Sequence, residues 1–147
     1  MEKPILLDTD VLVDFFRGFD KAVDFVNKYN DRIILSSIGV AELYAGVKGD
    51  AEQNALQHFI SLFRVIPIDA AIGKAGGLYR RDYGKSHGVG LADAILAATA
   101  KSKNAELKTL NTKHFPMFKN LTPAYKKKCQ QFVTHSTGNP GQKGGRP

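Results

Sequence analysis

Residues 4–16 of the 147-residue chain read PILLDTDVLVDFF, and this stretch decides the fold. The apolar run ILL at 5–7 has the length and composition of a short buried strand. The run ends abruptly at Asp8, and two further acids, Asp10 and Asp14, follow among hydrophobic residues. Because a carboxylate is costly to bury, an acid at the end of a buried strand indicates a polar partner, a helix cap or a bound cation.

Short apolar strands alternate with amphipathic helices along the rest of the chain. Further strands are predicted at RIILS (32–36), RVIPI (64–68) and ELKTL (106–110). Pro67 indicates that the third strand lies at or near an edge of the sheet, since proline cannot donate to a strand ladder. Helices are predicted over 11–18, 20–30, 38–48, 50–63, 70–85 and 91–104.

This alternation predicts an α/β domain with a mostly parallel sheet that is covered by helices on both faces. Ser36 or Ser37 and Asp69 are the residue types that cap a following helix. The pair Gly76-Gly77 weakens its helix or allows another element to pack closely. In sheets of this kind, ligands bind beyond the carboxyl ends of the strands, where Asp8 would lie.

Composition places the chain among globular proteins, with 43% hydrophobic and 24% charged residues. The only cysteine is Cys129, which excludes an intrachain disulfide and a CxxC metal site. There is no recognisable signal peptide, and no apolar stretch approaches the ~20 residues that a membrane span needs. We therefore expect a cytoplasmic protein with no membrane segment.

The net charge of +7 is unevenly distributed. Residues 1–106 carry 13 basic and 14 acidic side chains, whereas residues 107–147 carry 8 basic side chains and no acid. This asymmetry indicates either an anionic partner, nucleic acid before membrane, or a solvated basic tail. We expect a folded domain over residues 1–125 and a basic, flexible tail over residues 126–147.

Three acids stand out because their surroundings are apolar. Asp8 follows a buried strand, Glu42 lies in IGVAELYAGV, and Asp93 lies in GLADAILAATA. Each has an ordinary alternative: Asp8 can cap a helix, Asp93 can be a first-turn acid favoured by the helix dipole, and Glu42 can be an exposed helical residue. If the three converge, carboxylate oxygens favour Mg²⁺ or Mn²⁺ over softer metals.

Other catalytic patterns are missing from the sequence. There is no Gly-x-Ser-x-Gly elbow and no phosphate-binding glycine loop of the usual length. The histidines are dispersed and lack zinc-ligand spacing; they are His58, His87, His114 and His135. The acids therefore remain the main candidates for chemistry.

Four segments in order resemble the PIN-domain ribonucleases, and more narrowly the VapC toxins of prokaryotic toxin–antitoxin pairs. The segments are LLDTDVLVDFFRG, VAELYAGV, LADAILAATA and TLNTKHF, and the match spans about residues 4–119. The resemblance implies a three-layer α/β/α PIN-like domain with a central, mostly parallel sheet. It implies a Mg²⁺-dependent endoribonuclease, with Mn²⁺ as an alternative ion, that cleaves RNA phosphodiester bonds.

The resemblance also assigns roles to individual residues. The family's acids fall on Asp8, Glu42 and Asp93, and its fourth position, often Asp, falls on Asn111. Asp8 and Asp93 would hold the metal, while Glu42 would orient the attacking water or complete the metal shell. Asn111 could offer an amide oxygen, but it adds no charge, which weakens the case for a second metal.

The neighbours of these positions have supporting roles in the same resemblance. Thr9 and Thr109 would orient carboxylates. Asp10 would support the site or cap a helix, and Asp14 would lie on the surface of the short helix or help position the site. Candidate phosphate contacts, each alternatively a solvated charge, are Arg17, Lys48, Arg80, Arg81, Lys85 and Lys126-Lys127-Lys128. A homodimer and a small VapB-like antitoxin are the implied protein partners.

Two alternatives remain open. Asp8-Thr9-Asp10 also resembles the start of haloacid-dehalogenase-type phosphatases, but Leu12 stands where that motif has Thr or Val, and no later lysine precedes an acidic pair. The second alternative is a degenerate PIN fold that binds RNA or protein without catalysis, and Asn111 is the feature that favours it.

Overall fold

The computed structural model describes residues 2–127, in which the four predicted strands form one sheet. The strands are β1 (Ile5–Leu7), β2 (Ile33–Ser36), β3 (Arg64–Ile66) and β4 (Glu106–Lys108). Their order is β3-β2-β1-β4, and every neighbouring pair is parallel. β3 lies at an edge, as Pro67 predicts, and the carboxyl end of β1 lies between those of β2 and β4.

The helices follow the predicted order, with ends that differ from the predicted ones by a few residues. They are α1 (Thr9–Phe16), α2 (Asp20–Tyr29), α3 (Ser37–Ala45), α4 (Gly49–Ser61), α5 (Ala70–His87) and α6 (Leu91–Ser102), followed by the 3-10 helix Thr112–His114. The predicted caps are in place at two of them. Ser36 accepts a hydrogen bond from the Ile38 N–H at 3.1 Å, and Asp69 accepts one from the Ile72 N–H at 2.9 Å.

The sheet carries a hydrophobic core on each face because its strand residues alternate in direction. Leu6 packs with the core cluster that contains residues of α5 and α6. Ile5 and Leu7 pack with the cluster that contains residues of α1, α2 and α4. This arrangement confirms the predicted three-layer α/β/α fold, and the burial of both strand faces explains why β1 is a continuous apolar run.

α5 and α6 pack closely at Gly76. A Cβ on Gly76 would lie 2.9 Å from Ile95 Cγ1 and 3.1 Å from Ile95 Cα. A Cβ on Gly77 would meet nothing within 4 Å. The close approach suggested by the glycine pair is therefore real, and only Gly76 is needed for it.

The segment of residues 121–127, here called the C-terminal strap, is tied to the residue after β4 and to α1. The Ala124 N–H donates to the Thr109 carbonyl at 3.1 Å. The Tyr125 hydroxyl and the Lys127 ammonium donate to Asp14 at 2.8 and 3.1 Å. These contacts anchor the strap to the domain.

Asp14 is 5% exposed, so the expectation of a surface position is wrong. The strap covers it and supplies its partners. Lys127, assigned to the predicted tail, contacts the domain here, and the division at residue 125 stays a prediction. The rest of that tail, from residue 128, lies outside the described residues.

None of the helices between residues 2 and 127 has the length and apolarity required to cross a membrane.

Candidate active site

Asp8 ends β1 and begins α1, so one side chain serves both as a cap and as part of the candidate site. Its Oδ1 accepts a hydrogen bond from the Thr9 N–H at 2.8 Å, which caps α1. Its Oδ2 accepts one from the Thr109 hydroxyl at 2.8 Å. Asp8 is only 8% exposed. The two hydrogen bonds compensate for its burial and hold the carboxylate in one orientation.

Thr9 links Asp8 to Glu42. Its N–H donates to Asp8, while its hydroxyl lies 3.2 Å from Glu42 Oε1 and 3.4 Å from Asp8 Oδ1. The single hydroxyl hydrogen favours the nearer acceptor, Glu42. Glu42 is exposed on α3, as expected if it were an ordinary exposed helical residue. Even so, Thr9 brings Glu42 beside Asp8 from 33 residues away, which fits the expected orienting role of this threonine.

Asp93 lies in the first turn of α6 and faces the 3-10 helix that follows β4. Its Oδ2 is 3.3 Å from Nδ1 of His114, and its side chain is 28% exposed. Asp93 is therefore a first-turn acid, the position that the helix dipole favours. Its side chain also has a specific partner in His114. The imidazole is the basic group that contacts this acid within residues 2–127.

The three acids lie close enough to influence one another electrostatically. Burial raises the pKa of Asp8, Glu42 and Asp93 above their ordinary values. The charge of Asp8 raises the pKa of Glu42 and of Asp93 further, and the charge of Asp93 also acts on Glu42. Three acids that lie far apart in sequence thus converge at the carboxyl edge of the sheet.

The donor set is chemically suited to a hard divalent cation. Among residues 2–127, no lysine or arginine forms a salt bridge with these three acids, so their repulsion is offset there mainly by hydrogen bonds and His114. A bound cation would relieve that repulsion. However, within the same residues no group of three His, Cys, Asp or Glu side chains is arranged so that it could hold a metal ion. Asp8 and Asp93 therefore fit a metal by the chemistry of their oxygens and not by their present arrangement.

Asn111, the fourth predicted position, contacts Thr109, the partner of Asp8, and His114, the partner of Asp93. Its N–H donates to the Thr109 hydroxyl oxygen at 3.0 Å, and that hydroxyl donates to Asp8. Its side-chain Nδ2 lies 3.2 and 3.3 Å from the two ring nitrogens of His114. Thr109, fully buried, orients Asp8 as the resemblance implied.

Two residues at this site have contacts that sequence reasoning did not anticipate. The spacing of the histidines singles out none of them, but the position of His114 three residues after Asn111 is a signal that identifies it as a neighbour of that residue. Asp10 was expected to support the site or cap a helix. Its Oδ2 accepts a hydrogen bond from the Leu110 N–H at 2.9 Å, so it supports the segment after β4.

The candidate phosphate contacts that the structure describes are exposed, except Lys127, which is partly buried. Arg81 is paired with the neighbouring Asp82 at 2.8 Å. Two surface cavities of about 400 and 410 Å³ lie elsewhere, between the strap and α2 and beside the start of β4. The identification of the site therefore rests on the converging side chains and their hydrogen bonds, and not on a deep cavity.

Fold and site together define an α/β protein with a carboxylate site at the carboxyl edge of a parallel sheet. The model of the PIN domain family matches residues 5–119. The chain belongs to the PIN domain family, which confirms the resemblance of the four segments.

Relatives and solved structures agree with this assignment. Ribonuclease VapC10 of Mycobacterium tuberculosis is 36% identical over 124 residues, which cover 82% of this chain and 92% of the relative. Ribonuclease VapC19 of the same organism is 37% identical over 125 residues, which cover 82% and 98%. A toxin-antitoxin complex from Klebsiella pneumoniae contains a chain with a TM-score of 0.73 and 28% identity, covering 84% of this chain and 99% of that one.

Proposed function

We propose that this protein is a metal-dependent endoribonuclease, the toxin of a VapBC-type toxin–antitoxin pair. The observation that carries the proposal is the convergence of Asp8, Glu42 and Asp93, which come from three separate segments of a PIN domain. The ribonuclease names of the relatives and the toxin–antitoxin complex among the similar structures support the same function.

Mg²⁺ is the proposed ion, with Mn²⁺ as the alternative, and Asp8 and Asp93 are its proposed ligands. When bound, such an ion lowers the pKa of a coordinated water and offsets charge on the scissile phosphate. Glu42 is placed to orient the attacking water, since Thr9 holds it beside Asp8. Asn111 supplies an amide group without charge, so the proposal needs one metal and not two.

RNA is the proposed substrate, held by exposed basic side chains around the site. Electrostatic contacts to phosphates contribute affinity without sequence specificity, so these residues would set binding strength and its salt dependence. The described candidates are Arg17, Lys48, Arg80, Arg81, Lys85, Lys126 and Lys127, all exposed except Lys127, which is partly buried against Asp14.

The proposed antitoxin would cover the neighbouring apolar surface of α1, α3 and α4. Large apolar side chains are exposed there, namely Val13, Phe16, Tyr44 and Leu62. Exposed apolar side chains on adjacent helices are the usual mark of a protein–protein surface. α1 begins beside Asp8 and α3 carries Glu42, so a segment bound there would also reach the acids. A homodimer that works in the cytoplasm is the proposed assembly.

Cleavage of a structured RNA by wild type and by Asp93→Asn, each with and without EDTA, tests the catalytic proposal. We expect EDTA to abolish cleavage by the wild type, and Asp93→Asn to lose about 100-fold or more in rate because a charged oxygen ligand is lost. Asp24→Asn is the matched control, since Asp24 is exposed on α2. Equal cleavage by Asp93→Asn and wild type would remove Asp93 from the mechanism.

The second candidate is a non-catalytic PIN module that binds RNA or protein. Asn111 and the lack, within residues 2–127, of three side chains already gathered around a metal position favour it. A module of this kind would gain no thermal stability from Mg²⁺ or Mn²⁺ and would bind RNA without cutting it. The ribonuclease instead predicts a metal-dependent rise in melting temperature, because a ligand that binds only the native state stabilises it.

A further inference from the structure

Asp10 contributes a contact that the expected catalytic set does not explain. It lies in the first turn of α1, and its Oδ2 accepts a hydrogen bond from the Leu110 N–H at 2.9 Å. The two residues are 100 positions apart in sequence. This bond ties the first turn of α1 to the backbone segment that leads from β4 to Asn111.

The hydrogen count around Thr109 separates the role of Asp10 from that of Asp8. A hydroxyl has one hydrogen, and Asp8 Oδ2 at 2.8 Å is a nearer acceptor than Asp10 Oδ2 at 3.2 Å. The hydroxyl oxygen also accepts the Asn111 N–H at 3.0 Å. Thr109 is therefore satisfied without Asp10, and the specific partner of Asp10 is the Leu110 N–H.

The other oxygen of Asp10 accepts no hydrogen bond from the described residues. Oδ1 is buried and has no hydrogen-bond partner within residues 2–127. A single acceptor atom, Oδ2, thus binds the Leu110 N–H, and a neutral amide oxygen in the same place could accept the same hydrogen bond. The contact therefore requires an acceptor at this position and does not require a negative charge.

Leu110 immediately precedes Asn111 and the 3-10 helix that contains His114. Rotation of its peptide would carry both with it. Asn111 contacts Thr109 and His114, and His114 lies 3.3 Å from Asp93. We propose that Asp10 is a positioning residue that fixes the backbone at Leu110 and thereby holds Asn111 beside Thr109 and His114 beside Asp93. The kinetic side of this inference rests on the proposed ribonuclease function, whereas the structural side does not.

Three variants separate acceptor position from charge. Asp10→Asn keeps an acceptor oxygen at the same distance from the backbone and removes the charge. Asp10→Glu keeps the charge and displaces the oxygens by one methylene. Asp10→Ala removes both. Val26→Ala, a core truncation in α2 where Val26 is 3% exposed, is the control for a loss of stability away from the site.

The first readout needs neither RNA nor metal. In ¹⁵N–¹H spectra recorded in EDTA, we expect the Leu110 amide of Asp10→Asn to keep its protection from hydrogen exchange, as in the wild type. Asp10→Glu and Asp10→Ala are expected to lose that protection by about 10-fold or more, because the hydrogen-bond partner is displaced or lost. Val26→Ala leaves the local protection of Leu110 at the wild-type level once corrected for global stability.

The second readout is steady-state RNA cleavage. We expect Asp10→Asn to stay within about 3-fold of wild-type kcat, and Asp10→Glu and Asp10→Ala to lose about 10- to 100-fold with little change in KM, the range typical of residues that support metal ligands. Val26→Ala is expected to keep the wild-type kcat at a temperature where it is folded.

The opposite ranking, with Asp10→Glu active and Asp10→Asn inactive, would overturn the inference in favour of a charged, catalytic role. Unchanged Leu110 protection in both Asp10→Glu and Asp10→Ala would also overturn it. If the wild type itself cleaves no RNA, the ribonuclease proposal fails, and the exchange data still decide whether Asp10 positions Leu110. If Asp10→Ala does not fold, the pair Asp10→Asn and Asp10→Glu provides the same test.

Discussion

The same carboxylate, Asp10, should make the stability of the metal-free protein depend on pH in a way that a neutral isostere removes. Burial, and then the charge of Asp8, raises the pKa of Asp10 from 3.8 to about 6. Because the native state holds this proton more tightly than the unfolded state does, Asp10 carries no penalty below pH 3.8. Its contribution falls as pH rises from about 4 to about 6, and above that range the penalty is constant.

The size of the effect follows from the two pKa values. A rise from 3.8 to about 6 corresponds to about 3 kcal/mol of native-state stability lost between acidic and neutral pH. Asn is neutral throughout, so Asp10→Asn avoids this loss while it keeps the acceptor for the Leu110 N–H. Because part of the loss has already occurred at pH 4, we expect the variant to gain about 2.5 kcal/mol on the wild type at pH 7.5 relative to its difference at pH 4.

Urea denaturation of both proteins at several pH values from 4 to 7.5, in EDTA, measures this difference. The comparison between variant and wild type at each pH cancels the titration of acids that do not interact with Asp10, whereas Asp8 titrates together with it, so the measured difference belongs to the pair. A difference in unfolding free energy that stays constant within about 0.5 kcal/mol across this range would refute the reasoning, because it would mean that Asp10 titrates alike in both states.

Other substitutions test single contacts by the free energy of unfolding in urea. Asp14→Ala leaves the Tyr125 hydroxyl and the Lys127 ammonium without their acceptor and should cost about 2–3 kcal/mol. An unchanged free energy of unfolding would mean that the strap is not anchored there. Gly76→Ala puts a methyl 2.9 Å from a side chain of α6 and should cost about 1–3 kcal/mol, while Gly77→Ala, with open space around it, should cost nothing. Thr109→Val should cost about 1–3 kcal/mol, because its hydroxyl serves Asp8. Thr99→Val, which loses a bond within its own helix, should cost less, and equal losses would contradict the assignment.

Much of the fold was predictable from local patterns. The strand RIILS at 32–36 forms at Ile33–Ser36, and the helix predicted at 20–30 forms at Asp20–Tyr29. These elements are determined by short-range hydrophobic periodicity and by capping residues such as Ser36. The edge position of β3 was predictable for the same reason, since Pro67 limits backbone hydrogen bonding by its chemistry alone.

Periodicity was less informative about which faces are buried. The sequence 50–63 has many apolar residues at helical spacing, yet in α4 only Leu56 and Phe59 are buried. An apolar residue on a helix can face the core or a surface left for a partner, and the local pattern is the same in both cases. The proposed antitoxin surface assigns the exposed apolar side chains near the candidate site to this second kind.

The sequence by itself determined which residues are unusual in PILLDTDVLVDFF: three carboxylates among apolar neighbours had to find partners, because an unpaired buried charge is costly. Local chemistry also determined that Asp8 would cap α1. Tertiary structure alone decided which distant partner each of the three acids has. Asp8 joins Thr109 at the candidate site, Asp10 holds the Leu110 N–H, and Asp14 anchors the strap. These partners lie about 100 residues away or more, and a contact between such distant segments depends on how the whole sheet and its helices assemble, which no local pattern encodes.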